Sequence, residues 1–446
     1  MSLQTPEKIR NLQKKLYLKA KAEPDYRFYL LYDKVWRDDI LEHAYRLACA
    51  NGGAAGVDGV TFAAIESAGR KEWLAGLGKV LRERTYRPDP VRRVMIPKPN
   101  GGERPLGIPT IRDRVVQTAV KLVIEPIFEA DLEPNTYGYR PRRSAEDAIK
   151  AVHDLLRSGH TDVVDADLSK YFDTIPHDQL MRSVVRRIVD GDILKLIKMW
   201  LKTPVEETDR DGRKRMSGGK GSKQGTPQGG VISPLLANLY MNRFLKHWRL
   251  TGQGSKLKAY VIAYADDFVI LSRGYAEQAK AWARAVMARL GLTLNEAKTS
   301  LRNAREERFD FLGYSFGPHY FPKNGRRYLG ASPSKKSVAR LKPRISAILH
   351  RGNTAPWREV RVNLNRVLKG WSGYFCYGTC TPAYRAIDNH VMTRVQHFLS
   401  KRHKVPSRGT TRFSRETVFG ELGVVSLRRP FRPTEQAMWP LPLDMR

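Results

Sequence analysis

The sequence predicts an α+β fold: a mixed region of helices and short strands, followed by a smaller and strongly basic helical domain. Before about residue 317, amphipathic helical patterns alternate with short runs of β-branched and aromatic residues. From Pro318 onwards, 25 Lys and Arg stand against 6 Asp and Glu, which gives +19 of the total +34 charge. The Gly317–Pro318 pair, a combination that interrupts regular structure, is the predicted boundary.

The mixed region has a definite order of predicted elements. In chain order, these are an amphipathic helix at residues 27–50, a strand at Val91–Ile96 with a turn at residues 98–102, a helix at Arg114–Ala130, a helix opened by a Ser144/Asp147 capping box, strands within Thr161–Leu168 and Lys258–Leu271, and a helix at Tyr275–Leu290 that ends at Gly291. After the boundary, residues 335–350 and 357–368 are predicted to form basic helices. The stretch from about Pro406 is rich in Arg and Pro, and we expect it to be ordered in part only on a partner.

Composition narrows the classes of function. A length of 446 residues allows two to four domains at roughly 150 residues each. A net charge of +34 causes self-repulsion in the folded state, so a polyanionic partner is expected. Membrane surfaces are also anionic, but the sequence has neither an apolar stretch near 18 residues nor a lipidation signal, which favours nucleic acid. Three cysteines and no signal-peptide pattern predict a reducing, cytoplasmic location.

Two segments place aspartates among apolar residues. In Ala259–Leu271, Asp266 and Asp267 interrupt two β-favouring runs, which predicts a strand, a tight turn and a second strand. In Val163–Asp173, Asp167 follows a short apolar run. Adjacent carboxylates repel each other, and Mg²⁺, which prefers carboxylate and phosphate oxygens, would offset that cost. If Asp167 ends a neighbouring strand, three carboxylates meet as two-metal phosphoryl transfer requires, with metals about 3.5–4 Å apart.

Other interpretations of these acids stay open on pattern alone. An Asp–Asp pair in a turn is often only solvated or capping, because Asp favours turns. Asp165 alternates with Asp167 on the same predicted strand face, and Asp173 could cap the turn before Pro176.

At these residues the sequence resembles a reverse transcriptase and, more narrowly, the proteins encoded by bacterial group II introns. The Tyr264–Asp267 box and the Asp167–Asp173 segment are similar to two acidic motifs of that family. Further similar motifs are Gly56–Thr61, Arg93–Pro109, Tyr137–Pro141, Gln224–Asn238, Phe311–Gly313 and Gly370–Phe375. The resemblance covers about residues 50 to 400 and implies a right-hand polymerase of fingers and palm, followed by an α-helical thumb/maturase domain.

The resemblance and the charge shift together divide the chain into four parts. These are an N-terminal helical extension at residues 1–50, reverse transcriptase fingers and palm at 51–317, a helical thumb/maturase domain that binds RNA at 318–405, and a basic tail at 406–446 that could bind DNA. Some relatives end in an HNH-type endonuclease domain. Paired CxxC elements do not occur in this sequence, so we expect no such domain and priming from existing DNA ends.

The resemblance also implies the roles of individual residues. Asp167, Asp266 and Asp267 would bind two Mg²⁺ ions, for which Mn²⁺ can substitute, with the Leu168 carbonyl as a further ligand. The residues implied for nucleotide binding are Lys98 and Arg104 on the triphosphate, Phe172 under the sugar, where its ring would exclude a ribose 2′-hydroxyl, and Gln228 against the incoming nucleotide. Lys298 could protonate the leaving pyrophosphate as a general acid, although a solvated helix-end lysine is an equal interpretation.

The implied activity is RNA-directed DNA synthesis, with an RNA template, a DNA primer and dNTPs as substrates. The implied partners are the parent group II intron RNA, which the protein would help to splice and mobilise, and the target DNA. Two alternatives are an RNA-binding splicing factor with a vestigial polymerase and a reverse transcriptase domesticated for retron or defence functions. The intact acids argue against the first alternative, and Gln228–Gly229 followed by Ser233–Pro234 favours the intron type over the second.

Overall fold

The computed structural model describes residues 3–97, 102–208, 211, 213–227, 229–321, 323–405 and 410–428. The chain divides into two compact units, residues 1–302 and 303–446. The sequence placed this boundary at Gly317–Pro318. In the structure that pair lies inside the β-strand Tyr314–Tyr320, where Gly317 pairs with Gly330 and Pro318 with Leu329 of an antiparallel neighbour. Local composition did not reveal this because strand pairing depends on distant residues.

The first unit is mostly helical. Its helices are α1 (Glu7–Ala22), α2 (Tyr32–Val35), α3 (Asp38–Asn51), α4 (Phe62–Ala68), α5 (Arg70–Arg82), α6 (Ile111–Glu129), α7 (Ala145–Arg157), α8 (Tyr171–Thr174), α9 (His177–Val185), α10 (Gly191–Leu201), α11 (Ser233–Leu250), α12 (Gln253–Lys256) and α13 (Ala276–Arg289). Most residues of helix α6 are buried, including the polar Asp113, Arg114 and Gln117. It packs against α1, α3 and α11 and forms the centre of the core.

Two sheets complete this unit. Their strands are β1 (Val91–Pro97), β2 (Glu103–Ile108), β3 (Asp162–Asp167), β4 (Pro204–Thr208), β5 (Lys214–Gly218), β6 (Ala259–Tyr264), β7 (Asp267–Ser272) and β8 (Ser300–Asn303). One sheet has the order β2-β1-β4-β5, and the other, which we call the acidic sheet, has the order β6-β7-β3-β8. The apolar residues of β3, β6 and β7 anchor the acidic sheet in the core.

The predicted elements of this unit form with one exception. The capping box of Ser144 and Asp147 is present at the start of α7. The predicted single helix at residues 27–50 is wrong in two respects: regular helix begins only at Tyr32, and it is interrupted at Trp36 and Arg37 between α2 and α3. Phe28 instead pairs with the backbone of Arg187 and Val189, at 2.7 and 2.8 Å. The Asp190 carboxylate accepts hydrogen bonds from the backbone of Leu31 and Tyr32, at 2.7 and 2.9 Å.

The second unit has a small sheet and a helical core. Its elements are β9 (Phe309–Phe311), β10 (Tyr314–Tyr320), β11 (Arg327–Pro333), α14 (Lys335–Ile348), α15 (Trp357–Tyr374), α16 (Thr381–Arg402) and a π-helical turn at Thr417–Glu421. The sheet order is β11-β10-β9. Leucine, isoleucine and valine side chains of the three helices form one apolar cluster. Helix α15 continues six residues beyond its predicted end at Leu368.

Candidate active site

A two-residue turn carries one of the predicted aspartates. Strands β6 and β7 pair antiparallel up to Tyr264 and Asp267, which leaves Ala265 and Asp266 as the turn. Ala265 has a left-handed backbone with φ 59°. Hairpins with two-residue turns favour a positive φ at the first turn position, because that geometry matches the twist of the strands. The alternating apolar residues of both strands therefore fix where Asp266 emerges.

Asp167 ends β3 directly opposite Asp267. The two residues are Cα partners in the antiparallel pairing of β3 with β7. Directly opposed residues of such a pair project to the same face of the sheet, with Cβ atoms about 4.5–5.5 Å apart. Asp165, two residues earlier, projects to that face as well. The register thus places carboxylates of both strands on one face, next to the turn that carries Asp266.

The charges of these aspartates act on one another. Desolvation by the surrounding protein, followed by the negative charges of Asp266 and Asp167, raises the pKa of Asp267 to about 7. Burial also raises the pKa of Asp266, and Asp167 contributes to that rise, while Arg104 and Lys298 lower it. The fully ionised cluster is therefore unfavourable unless a cation compensates it.

The protein's own donors occupy one oxygen of Asp167. The Lys298 Nζ donates to Asp167 Oδ2 at 3.1 Å, and the Asn295 Nδ2 donates to the same oxygen at 3.2 Å. The Asn295 backbone N–H also donates to the Asp167 carbonyl at 2.8 Å. These bonds join the end of β3 to the segment that follows α13. Asn295 was not identified as a site residue from the sequence, because nothing local marks it.

Within the described residues, no three His, Cys, Asp or Glu side chains are already arranged as a metal-binding group. The donor chemistry nevertheless suits a hard divalent cation, because Asp167, Asp266 and Asp267 offer only oxygen atoms. An ion that used both oxygens of Asp167 would displace Lys298 and Asn295 from Oδ2. The Leu168 carbonyl, a further expected ligand, belongs to a buried residue that forms a β-bridge with Leu294.

Gly138 contacts the turn formed by Ala265 and Asp266, which we call the acidic turn, from outside the sheet. The Tyr137 backbone N–H donates to the Ala263 carbonyl at 2.9 Å, so this segment runs beside β6. A Cβ atom on Gly138 would lie 2.5 Å from the Ala265 nitrogen. The Asn238 Nδ2 fixes Gly138 from the other side through its carbonyl, at 2.6 Å. Only a glycine can therefore lie this close to the turn.

Phe172 lies five residues after Asp167, on the short helix α8. Lys170, with a left-handed φ of 49°, begins the turn into α8. The buried Tyr171 donates its hydroxyl to the Ala237 carbonyl at 2.7 Å and so anchors α8 on α11. Phe172 is partly buried against the core, with its ring 5.7 Å from that of Tyr171. The Phe172 ring position is thus set by an anchored neighbour.

The described part of the Gln224–Asn238 motif is fixed on both sides of its central turn. Its first residues are bonded to α8 and to the start of α9: Thr226 N donates to the Phe172 carbonyl at 2.6 Å, and the His177 Nε2 lies 2.6 Å from the Gly225 carbonyl. Beyond the turn, Ile232 N donates to the Gln117 Oε1 at 3.3 Å. His177 and Gln117 are both buried.

Gly229 brings the same motif against β2. It has φ 106°, and a Cβ atom there would overlap the Gly107 carbonyl and lie 3.1 Å from Leu106 Cδ1. The motif and strand β2 can therefore pack at backbone distance only through a glycine. Gln228 and Lys98 lie outside the described residues.

Arg104 and Tyr139 add to the surroundings of Asp266. Arg104 is an exposed residue of β2, opposite Ile96 in β1, and its positive charge lowers the pKa of Asp266. Tyr139 is half exposed and has a left-handed φ of 56°. Burial and then the charge of Asp266 raise the pKa of Tyr139. Tyr139 belongs to the Tyr137–Pro141 motif, but only the structure shows that it lies in the electrostatic environment of Asp266.

The structure thus brings Asp167, Asp266, Asp267, Arg104 and Lys298 into one electrostatic environment. His177, Gln117 and Gly138 were missed from the sequence. Gln117 does leave a signal, because a polar residue inside the apolar run of α6 is buried only when it is hydrogen-bonded. Gly138 belongs to the Tyr137–Pro141 motif, but its contact with the turn depends on residues distant in sequence. His177 leaves no signal, since its partner is also distant in sequence.

Comparison with known families agrees with this geometry. Residues 96–316 match the family described as Reverse transcriptase (RNA-dependent DNA polymerase), and residues 338–415 match the group II intron, maturase-specific domain. These two matches lie largely in the first and the second compact unit, respectively. No helix of the described residues is long and apolar enough to cross a membrane.

Individual relatives differ in how much of their length they share. Protein YkfC of Escherichia coli (strain K12) is 36% identical over 347 residues, which are 69% of this chain and 87% of that protein. The group II intron-encoded protein LtrA of Lactococcus lactis subsp. cremoris is 34% identical over 49% of this chain and 35% of its own length. An uncharacterized 91 kDa protein in the cob intron of Schizosaccharomyces pombe is 24% identical over 72% of this chain and 48% of its own length.

Proposed function

This chain belongs to the family of group II intron-encoded reverse transcriptases with a maturase domain and is an RNA-directed DNA polymerase, and on that basis we propose how its residues perform this nucleotidyl transfer. Asp167, Asp266 and Asp267 hold two Mg²⁺ ions, with the Leu168 carbonyl as a further ligand. When bound, the ions lower the barrier by activating the primer 3′-hydroxyl and neutralising charge on the triphosphate. Mn²⁺ substitutes for Mg²⁺.

The observation that carries the proposal is the register of β3 against β7. It sets Asp167 beside Asp267 on one face, while the turn between β6 and β7 adds Asp266. Desolvation, and after it repulsion from the neighbouring acids, raises the pKa values of Asp266 and Asp267. Such a cluster is maintained at a cost in stability, and divalent cation binding is the chemistry that removes the cost.

The nucleotide is held by residues around this cluster. Arg104 and Lys98 bind the triphosphate, for which a guanidinium fork and an ammonium are well suited. Phe172 lies beneath the sugar and excludes a ribose 2′-hydroxyl. Gln228 contacts the incoming nucleotide, and His177 keeps the motif that carries Gln228 next to Phe172.

Lys298 is proposed as the general acid for the leaving pyrophosphate. Its Nζ lies 3.1 Å from the Asp167 carboxylate, and because the lysine is exposed it can change partner. A protonated and mobile group next to the acids is what proton donation to the leaving group requires.

The basic second unit is proposed to bind the parent group II intron RNA and so to assist splicing and mobility. Arginine and lysine side chains on its helices supply affinity for phosphate. The tail from residue 406 contacts target DNA. We propose a location in the bacterial cytoplasm, because the proposed substrates and the intron RNA are found there. The target DNA lies in the nucleoid.

Primer extension tests the proposal. The purified protein is given an RNA template, a DNA primer and dNTPs, with and without Mg²⁺. We expect Mg²⁺-dependent DNA synthesis that Asp266→Ala abolishes, while RNA affinity stays within a few-fold. Asp178→Ala, at an exposed acid on α9, is the matched control and retains synthesis. RNA binding without any DNA product would leave an RNA-binding splicing factor with a vestigial polymerase.

A further inference from the structure

A groove in the second unit is large enough for part of a nucleic-acid strand. It has a volume of about 770 Å³ and runs between α14 and α16 over β10 and β11. Apolar residues line its floor and sides, among them Pro333, Val338, Ala383 and Ala386. Ligand-binding clefts commonly have volumes of about 300–1,000 Å³ and a few polar groups on apolar walls. We call this feature the basic groove.

The charge of the basic groove is entirely positive. Arg308, Lys335 and Lys342 line it, and none of the described lining residues is acidic. In the described part of the chain, none of the three makes an ion pair, whereas Lys336 on the outer side of α14 pairs with Asp310 at 3.5 Å. Arg308 is held in place by two hydrogen bonds to the Pro318 carbonyl, at 3.0 and 2.7 Å. The three cations are thus available to an anion.

Hydroxyl groups line the same groove. Ser332, Ser346 and Thr379 line the groove. The Thr379 hydroxyl is bonded to the Tyr328 hydroxyl at 2.8 Å, so its position is fixed. A hydroxyl can both donate and accept, which suits the ribose 2′-hydroxyl, the group that distinguishes RNA from DNA.

The spacing of the cations favours a polyanion over a single phosphate. Lys335 and Lys342 are seven residues apart on α14, or about 10 Å along the axis at 1.5 Å per residue. They therefore contact different points of a ligand that lies along the groove. The groove holds nucleotides in single file, because its volume is that of one or two nucleotides rather than of a duplex.

We propose that the basic groove binds a short single-stranded segment of RNA, with its phosphates on Arg308, Lys335 and Lys342 and its 2′-hydroxyls next to the serine and threonine hydroxyls. This inference rests on the proposed RNA-binding function of the second unit and assigns a site to it. Because the groove is concave and the rest of α14 is convex, single-stranded RNA binds here in preference to the equally basic outer face.

Affinity and its salt dependence test the site. The full chain is titrated with a fluorescent oligouridylate of about 12 nucleotides, within the range of single-strand site sizes. The double variant Lys335→Ser/Lys342→Ser should bind on the order of tenfold more weakly. Its plot of log affinity against log salt should be shallower by about 1.4, because each lost phosphate contact removes about 0.7 for single strands.

The matched control is Arg340→Ser/Arg344→Ser, which removes the same charge from exposed positions of the same helix. We expect this control to keep the wild-type salt slope and nearly the wild-type affinity. Equal loss in both double variants would mean that only total charge matters and would overturn the site. A deoxyuridine oligonucleotide should bind several-fold more weakly than its RNA counterpart. Equal affinity would refute the selection for RNA.

Two further readouts separate this site from the catalytic proposal. Asp266→Ala should bind the oligonucleotide as the wild type does, and Lys335→Ser/Lys342→Ser should extend a primer normally at saturating template. Failure of the catalytic proposal would leave the binding results unchanged. Failure of the groove would leave primer extension and its dependence on Asp266 unchanged.

Discussion

Replacing Gly138 with alanine tests how tightly the acidic turn is supported. The added Cβ would lie 2.5 Å from the Ala265 nitrogen and 3.0 Å from the Tyr264 carbonyl carbon. Ordinary contacts of this kind are about 3.4 Å or longer, so the turn must move by about 1 Å, and a displacement of that size costs about a hundredfold in rate. A hundredfold corresponds to about 2.7 kcal/mol on the barrier. The same overlap costs about 1–3 kcal/mol of stability.

The assay is single-turnover primer extension, with the rate normalised to the folded fraction measured by chemical denaturation. We expect kcat of Gly138→Ala to fall about a hundredfold, while affinity for the RNA template stays within a few-fold. Gly191→Ala is the matched control, because a Cβ atom at that position on α10 meets nothing within 4 Å. Wild-type kcat in Gly138→Ala would show that the position of Asp266 does not depend on this contact and would refute the reasoning.

Five more variants test other parts of the structure. Phe172→Ala should raise ribonucleotide incorporation relative to deoxynucleotide incorporation by at least about tenfold in kcat/KM, and an unchanged ratio would remove its role in sugar selection. His177→Ala and Gln117→Ala should each raise KM for dNTPs several-fold with a smaller change in kcat. An unaltered KM would show that neither residue positions the Gln224–Asn238 motif. Burial raises the pKa of Asp113 from 3.8 to about 6, so the folded state binds this proton more tightly than the unfolded state, and the stability gained from the proton is lost as pH rises through 6. The free energy of unfolding of the wild type should fall by up to about 3 kcal/mol relative to Asp113→Asn between pH 4 and 7, and a constant difference in urea titrations would contradict this. Asp388→Ala should destabilise the second unit by about 3 kcal/mol, because the buried carboxylate accepts bonds from the backbone and side chains of residues 415–428; unchanged resistance of that segment to proteolysis would count against it.

The strands and the turn of the acidic sheet follow from the sequence because their cause is local. Apolar, β-favouring residues on both sides of Asp266 and Asp267 predict a turn at this pair. In the structure Asp266 lies in the turn and Asp267 is the first residue of β7. The pairing of β7 with β3, by contrast, does not follow from the local sequence. Only tertiary structure sets Asp167 rather than Asp165 opposite Asp267, because register depends on residues about a hundred positions away.

The differences between expectation and structure also arise from long-range contacts. Residues 27–31 have a helical pattern, but Asp190 and the backbone near Arg187 offer them better hydrogen bonds than a first helical turn would. Gly317 and Pro318 form a typical breaker pair, yet they fit inside β10, where they pair with Gly330 and Leu329 of β11. His177 could not be recognised as a site residue, because its ring contacts the carbonyl of Gly225, which lies 48 positions later in the sequence.

The number of Mn²⁺ ions bound in the complex with primer, template and dNTP tests the central claim most directly. Electron paramagnetic resonance titration gives this number without requiring turnover. The wild type should bind two ions tightly per chain, and Asp167→Asn and Asp266→Asn should each lose at least one of them. Two tightly bound ions in both variants would contradict the claim that these carboxylates hold the metals.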